Sequence, residues 1–320
     1  MTTDVFLDAD DLDRTLRDDV RAGLTANPKW LPPKWFYDAR GSELFELITE
    51  LPEYYPTRAE RRILTDRAPE IARETRARAL LELGSGYSTK TRLLLDALTA
   101  EGTLTSYVPM DVSPTALEAA ATRITTDFPA LRVHNVVGDM TRHLKHLPGD
   151  GHRLVAFLGG TIGNLIPAER AAFLADVRAV LNPGEHLLLG TDLVKDPHVV
   201  VPAYDDAEGV TAEFNRNVLR VLNAGLGADF DLEGFAHVAL WNADQEWIEM
   251  RLRARWPMRA TIPALNLTVD LASGEEIRTE VSAKFRREGV ERELAEAGFT
   301  LTHWWTDPDD LFGVSLAKAA

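Results

Sequence analysis

The sequence predicts an α/β protein built on an open, doubly wound and mostly parallel sheet, and three observations predict it. Between residues 79 and 192 short apolar runs alternate with amphipathic helical patterns, which is the rhythm of successive βαβ units. The first of those runs ends in L-E-L-G-S-G at 81–86, two glycines one residue apart just before a helix. After an interruption, the βα rhythm returns from 287 to the end of the chain.

Taken in order, residues 11–24 carry apolar positions at helical spacing among charges, and the helix breaks at Asn27-Pro28 and Pro32-Pro33. Residues 34–58 form a loop-and-helix region with Trp35, Phe36, Tyr37, Phe45, Tyr54 and Tyr55, the last two bracketed by Pro52 and Pro56. Strands then fit 79–83, 107–110, 131–137, 154–158 and 186–189. Helices fit 89–98, a segment capped by Ser113 with Pro114 at its first position, and 168–181. From 193 to 284 the alternation fails. A helix at 212–226 and strands at 236–241, 247–254 and 265–269 suggest an inserted α+β domain. The sheet resumes with a helix at 287–297 stopped by Gly298, and strands at 299–305 and 312–317 around the Asp307-Pro308 turn. The expected division is 59–192 with 285–320 as the sheet domain, and 6–58 with 193–284 as a second, substrate-binding domain.

Composition narrows the chemistry. The formal net charge of −15 argues against a nucleic-acid partner, since phosphate-backbone binding needs surplus Lys and Arg. There is no cysteine, which removes thiolate nucleophiles and Cys-ligated metals. No clustered His and carboxylate set suggests another metal site. Neither a basic flank with an apolar run at the start nor a long apolar segment elsewhere is present. The expectation is a cytoplasmic, monomeric protein without a membrane partner.

The glycine turn lets the backbone approach a ligand, yet a dinucleotide fingerprint needs a third glycine where Thr89 stands. S-adenosylmethionine fits better. Asp111 ends the second strand, where a carboxylate can accept from both ribose hydroxyls. Gly138-Asp139-Met140 ends the third, with Asp139 placed for an adenine amino group and Met140 for its ring. The segment A-E-A-G-F and the strand pair after it are similar to the closing elements of class I methyltransferases.

A narrower resemblance rests on W-F-Y-D-A (35–39), L-P-E-Y-Y-P-T-R (51–58), L-E-L-G-S-G, F-L-G-G-T-I-G-N (157–164) and L-G-T-D-L-V-K-D (189–196). It continues in A-Y-D-D (203–206), F-N-R-N (214–217) and T-H-W-W-T-D (302–307). With these motifs the chain resembles the histidine-specific N-alpha-methyltransferases of ergothioneine biosynthesis, from about residue 24 to the C-terminus. The resemblance implies methylation of the α-amino group of L-histidine, up to the trimethylated product hercynine, on a class I methyltransferase sheet. It implies that Tyr54, Asn164 and Tyr204 hold the amino acid's backbone end, with Gly159 and Tyr37 shaping the pocket. Tyr37, Tyr54 and Asn164 are then the groups nearest the chemistry. Met250, Glu280 and Ser282 are implied around the imidazole, and Gly84, Lys90, Asp111, Asp139 and Met140 on the cofactor.

From the residues alone other readings stand beside these. Tyr54 and Tyr55 fit as half-buried packing residues, Met250 as core filler, Glu280 and Ser282 as one face of a solvated strand, and Lys90 as a surface residue. His303 reads as structural. A methyltransferase of the same fold acting on another amino acid or a protein N-terminus, a non-catalytic sensor of cofactor or histidine and, third, a dinucleotide oxidoreductase remain open at this point.

Overall fold

A sheet whose central strands are buried on both faces needs unbroken apolar runs, and A-L-L-E-L at Ala79–Leu83 and H-L-L-L-G-T-D at His186–Asp192 are buried at every position. The computed structural model describes residues 1–86, 90–148 and 151–320, and the chain divides into two compact units. Thr89 and the expected start of its helix lie outside the described residues.

The first unit comprises Met1–Leu7, Pro56–Val194 and Lys284–Ala320. Its eight-stranded sheet runs Thr2–Val5, Arg132–Val137, Ser106–Asp111, Ala79–Leu83, Arg153–Phe157, His186–Asp192, Phe312–Ala319, Phe299–Thr306. All neighbours are parallel except Phe312–Ala319, which is antiparallel to the strands on both sides. Chain order therefore reverses at Ala79–Leu83, flanked by the second expected strand on one side and the fourth on the other. That switch point, at the carboxyl ends of the strands, is where open α/β sheets bind ligands. Leu80, Leu94, Leu98, Leu154, Leu188, Val314 and Leu316 are all fully buried in the core around it, each worth about 1.5–3 kcal/mol of transfer free energy.

Two elements of this unit had no sequence signal. Thr2–Val5 adds to the sheet edge as a short, mostly exposed and polar strand. Pro56–Thr75 is a long helix despite its many charges and an internal Pro69.

The second unit comprises Asp8–Tyr55 and Lys195–Ala283. Its helix Ala9–Thr25 is capped by the Asp8 carboxylate, which accepts from the Asp11 N–H at 2.8 Å. A four-stranded sheet runs Lys29–Trp30, Glu276–Ala283, Trp247–Ala254, Phe235–Asn242. The strand expected at 265–269 is instead a turn at Pro263–Leu265 followed by Leu267–Leu271, which pairs with Met258–Ile262 as a separate ribbon. Arg17 and Arg21 tie the first helix to that turn, donating to the Ala264 and Leu265 carbonyls. Helix Val210–Leu226 buries Phe214, Asn215, Asn217, Val218 and Leu222.

Candidate active site

In the first unit the glycine turn follows directly from the Ala79–Leu83 strand. Gly84 and Gly86 have φ of +66° and +49°, values that a side chain disfavours and glycine tolerates. The N–H groups of Gly84 and Ser85 donate to the Met110 carbonyl at 2.9 and 3.2 Å, binding the turn to the end of the second strand. A Cβ on Gly86 would meet none of the described residues within 4 Å. Behind the turn, the Glu82 carboxylate accepts from the hydroxyls of Thr91 and Tyr107.

Asp111 caps the neighbouring strand end. Its two oxygens accept from the N–H groups of Gly86 and Ser113, at 2.8 and 2.9 Å, which fixes the carboxylate while leaving lone pairs for further donors. Burial pushes its pKa up, against the lowering effect of those backbone bonds. At the third strand end, Asp139 Oδ1 accepts from the N–H and hydroxyl of Thr141 at 2.8 and 2.6 Å. The Met140 methyl lies 3.5 Å from the position a Cβ on Gly84 would take, so Met140 flanks the turn. Ser85 Oγ is buried without a hydrogen-bond partner among the described residues. A buried hydroxyl left unsatisfied costs about 1–3 kcal/mol, and in a ligand cradle it marks a group waiting for a donor or acceptor.

Lys90 forms an ion pair with Glu60, a fully buried carboxylate on the Pro56–Thr75 helix. The other Glu60 oxygen accepts from the Gly159 N–H at 2.8 Å. Gly190 makes room for it, since a Cβ there would stand 2.2 Å from Glu60 Oε1. Gly159 and Gly160 have consecutive positive φ, and they turn the chain from the Arg153–Phe157 strand into the Thr161–Asn164 turn, where Asn164 is half-buried.

In the second unit, Tyr37, Phe45, Tyr54 and Phe214 form an aromatic cluster with edge-on or tilted contacts at 5.5–6.1 Å. Tyr37 is 38% exposed, whereas Tyr54 and Tyr204 are each 9% exposed, so of the three it presents the most surface. Asp38 caps helix Ala39–Glu50 through the Gly41 N–H and also accepts from Asn217 Nδ2, both at 2.7 Å. Tyr204 ends the Val201–Tyr204 turn. Asp206 beside it accepts from the N–H groups of Val210 and Thr211 at 2.9 and 2.7 Å, capping a helix whose own N-cap, Gly209, has no side chain to offer. These hydrogen bonds hold the Asp206 pKa down against burial, the largest single influence on it.

Strand Glu276–Ala283 carries Glu280 and Ser282. Arg278 pairs with Arg251 and Glu280 with Met250, so Thr279 is an extra residue, a β-bulge. Because side chains alternate with a period of two, this single insertion moves Glu280 and Ser282 onto the face shared by Met250 and Ile248. Met250 is 1% exposed and Glu280 half-buried. The Tyr204 hydroxyl and Ser282 Oγ are 2.8 Å apart. Two groups expected at opposite ends of the amino acid thus form one polar pair.

The sequence profile described as histidine-specific methyltransferase, SAM-dependent, matches residues 16–319. The chain belongs to this family. Histidine N-alpha-methyltransferases of Mycolicibacterium smegmatis and Mycobacterium tuberculosis are 57% identical over 312 residues and 56% identical over 302. Those alignments cover 98% of this chain and 97% of the first relative, and 94% of each chain for the second. The ergothioneine biosynthesis protein 1 of Neurospora crassa is 33% identical over 87% of this chain, which spans 32% of that longer relative. As a histidine-specific methyltransferase the chain uses S-adenosylmethionine, and the residues present suit it: the carboxylates of Asp111 and Asp139 at the two strand ends beside the glycine turn are acceptors of the kind its ribose hydroxyls and adenine amino group require.

Three residues of this histidine-specific methyltransferase carried no usable sequence signal of their own. Glu60 sits in a charged helix with no pattern to mark it. Asn215 lay inside the F-N-R-N motif without an assigned role, and His237 lies in a strand otherwise unremarked. Among the described residues no group of three His, Asp or Glu side chains gathers as a metal site, and no helix is long and apolar enough to cross a membrane.

Proposed function

We propose that this protein methylates the α-amino group of L-histidine with S-adenosylmethionine, up to N,N,N-trimethylhistidine, as the first step of ergothioneine biosynthesis. The observation that carries the reading is similarity over nearly the whole chain to histidine N-alpha-methyltransferases. We take it to act as a monomer in the cytoplasm.

When bound, S-adenosylmethionine supplies an electrophilic methyl group on a sulfonium. Asp111 would accept from its ribose hydroxyls, Asp139 and Met140 would take the adenine, and Gly84, Ser85 and Lys90 would complete the cradle. The protein's remaining work is alignment, which can supply much of the acceleration in a displacement of this kind.

The nitrogen must be neutral before it can attack, yet an α-amino group has an ordinary pKa near about 8. Tyr37 and Tyr54, backed by Phe45 and Phe214, surround it with ring surface rather than water, and desolvation favours the neutral amine. As methyl groups accumulate, the product becomes a fixed cation that aromatic faces stabilise. Asn164, Gly159 and Tyr204 are assigned to the backbone end of the amino acid by motif. Glu280 and Ser282, placed on the Met250 face by the bulge, accept and donate to the imidazole nitrogens. A different amino acid would forgo the charge-assisted bond between the Glu280 carboxylate and the imidazole N–H.

Incubation with S-adenosylmethionine and a panel of free amino acids and N-terminal peptides, followed by mass spectrometry, tests the reading. Mono-, di- and trimethylhistidine with matching S-adenosylhomocysteine are expected. Methylation of another substrate in preference to histidine, or binding without S-adenosylhomocysteine formation, overturns it.

A further inference from the structure

The F-N-R-N segment places three buried side chains on helix Val210–Leu226, and two have evident work. Phe214 packs in the aromatic cluster, and Asn217 donates to the Phe36 carbonyl and to Asp38. Asn215 is fully buried and its amide is fully engaged. Nδ2 lies 3.1 Å from the Arg251 carbonyl and 2.8 Å from His237 Nδ1, while Oδ1 accepts at 2.6 Å from the Thr279 hydroxyl, whose oxygen also lies 3.0 Å from the Met250 carbonyl on the partner strand. A backbone carbonyl can only accept, so the amide nitrogen must face Arg251, and this orientation fixes the rest. His237 Nδ1 then accepts from Asn215, and its Nε2–H donates to the Tyr204 carbonyl at 2.7 Å. The imidazole is only 2% exposed, and burial holds its pKa below the usual value, in keeping with a neutral ring that donates on one side and accepts on the other.

This chain of bonds ends at two places that matter. One end is the backbone of Tyr204. The other is Thr279, the bulge residue that decides which face Glu280 and Ser282 present. We propose that Asn215 and His237 are positioning residues, which set Tyr204 and the Glu280–Ser282 segment together for recognition of the amino acid. The proposal rests on the roles given above to Tyr204, Glu280 and Ser282. A network satisfied at every member rigidifies its surroundings, while a half-satisfied one loosens them. The relay therefore acts on substrate affinity ahead of the chemical step, and it leaves the cofactor half untouched.

The test compares His237→Gln with His237→Asn in the full-length protein. Gln reaches the Nε2 position and keeps a donor for Tyr204; Asn reaches only the Nδ1 position and loses it. Expected for His237→Asn is a histidine KM raised about tenfold or more, with kcat changed less than about threefold and S-adenosylhomocysteine affinity by calorimetry unchanged. His237→Gln recovers most of that loss. Thr279→Val, which removes only the hydroxyl's bonding, raises KM in the same sense and serves should the His237 variants fail to fold. The relay is overturned if His237→Asn and Thr279→Val both keep the parental KM while Tyr204→Phe raises it. If Tyr204→Phe and Glu280→Gln are silent as well, the assignment of the amino-acid site falls and takes the relay with it.

Discussion

Glu280 and Asp111 divide the recognition problem between two carboxylates held in different ways. Asp111 is locked by two backbone N–H groups, so its geometry does not depend on the ligand. In the proposed site, removing it deletes acceptors for two ribose hydroxyls, each such charge-assisted bond being worth about 1.5–3 kcal/mol. Asp111→Ala is therefore expected to weaken S-adenosylhomocysteine binding by at least about tenfold in calorimetry, and unchanged affinity would show that the turn holds something else. Because burial raises the Asp111 pKa, its protonated form is favoured in the folded protein. The stability linked to that proton is complete below the unfolded pKa and is lost as pH rises through the raised folded value. Cofactor affinity follows the opposite course, needing the ionised form, and should fall on acidification at a higher pH than an ordinary carboxylate would produce. Asp111→Asn should flatten this dependence; an equally steep profile in that variant would assign it to another group. Glu280 sits on a half-buried strand face, and in the proposed site its loss leaves the imidazole without its acidic partner. Glu280→Ala is expected to cut kcat/KM for histidine about a hundredfold or more with cofactor affinity retained, and near-parental turnover would remove it from the site.

At the scale of elements, what was legible in the sequence follows from how each element is buried. The inner strands are covered on both faces and read as apolar runs, so Ala79–Leu83 was visible to the residue, while the strand expected at 186–189 runs three residues further, to Asp192, through the less apolar G-T-D. Thr2–Val5 is an exposed edge strand of polar residues, and nothing in T-T-D-V marks it. Pro56–Thr75 hides behind its charges and Pro69. The glycine turn and the acidic strand ends were legible because such residues report their local geometry within a few positions of sequence. The Thr279 bulge was not, since the alternation of side chains in E-V-S looks regular until the partner strand is known. Nor was the relay, whose members stand at 215, 237 and 279 and meet only through tertiary packing. The Val201–Tyr204 turn and the helix after it illustrate how a motif can be structural. In A-Y-D-D the second aspartate, Asp206, satisfies two helix N–H groups. Asp206→Ala should cost about 1–2 kcal/mol in denaturant unfolding. With its folded pKa lowered, that contribution is present above the unfolded pKa and lost as pH falls through the folded value. The stability gap between the variant and the parent should thus close in acid; a gap independent of pH would contradict the capping role.

For the whole molecule, the two units assign cofactor and amino-acid chemistry to different stretches of one interleaved chain. Met1–Leu7, Pro56–Val194 and Lys284–Ala320 carry the glycine turn and the acidic strand ends, while Asp8–Tyr55 and Lys195–Ala283 carry the aromatic cluster, the bulge and the relay. A ligand that binds only the native state stabilises it by about 2.7 kcal/mol at a hundred times its Kd. Local stability rises most where the ligand closes off the opening motions through which amides exchange. Hydrogen exchange read by mass spectrometry should therefore separate the two sets of residues. S-adenosylhomocysteine alone is expected to slow exchange at 81–86, 106–113 and 137–143, the turn and the two strand ends. Adding histidine is expected to extend protection to 201–211, 247–254 and 276–283, the segments of Tyr204, Met250 and the bulge. The His237→Asn protein should keep the first response and lose much of the second, because its cofactor residues are intact and its positioning relay is broken. Histidine protection confined to the first unit would contradict the placement of the imidazole-recognising residues on the bulged strand, and an equal loss of both responses would mean that His237 supports the fold at large.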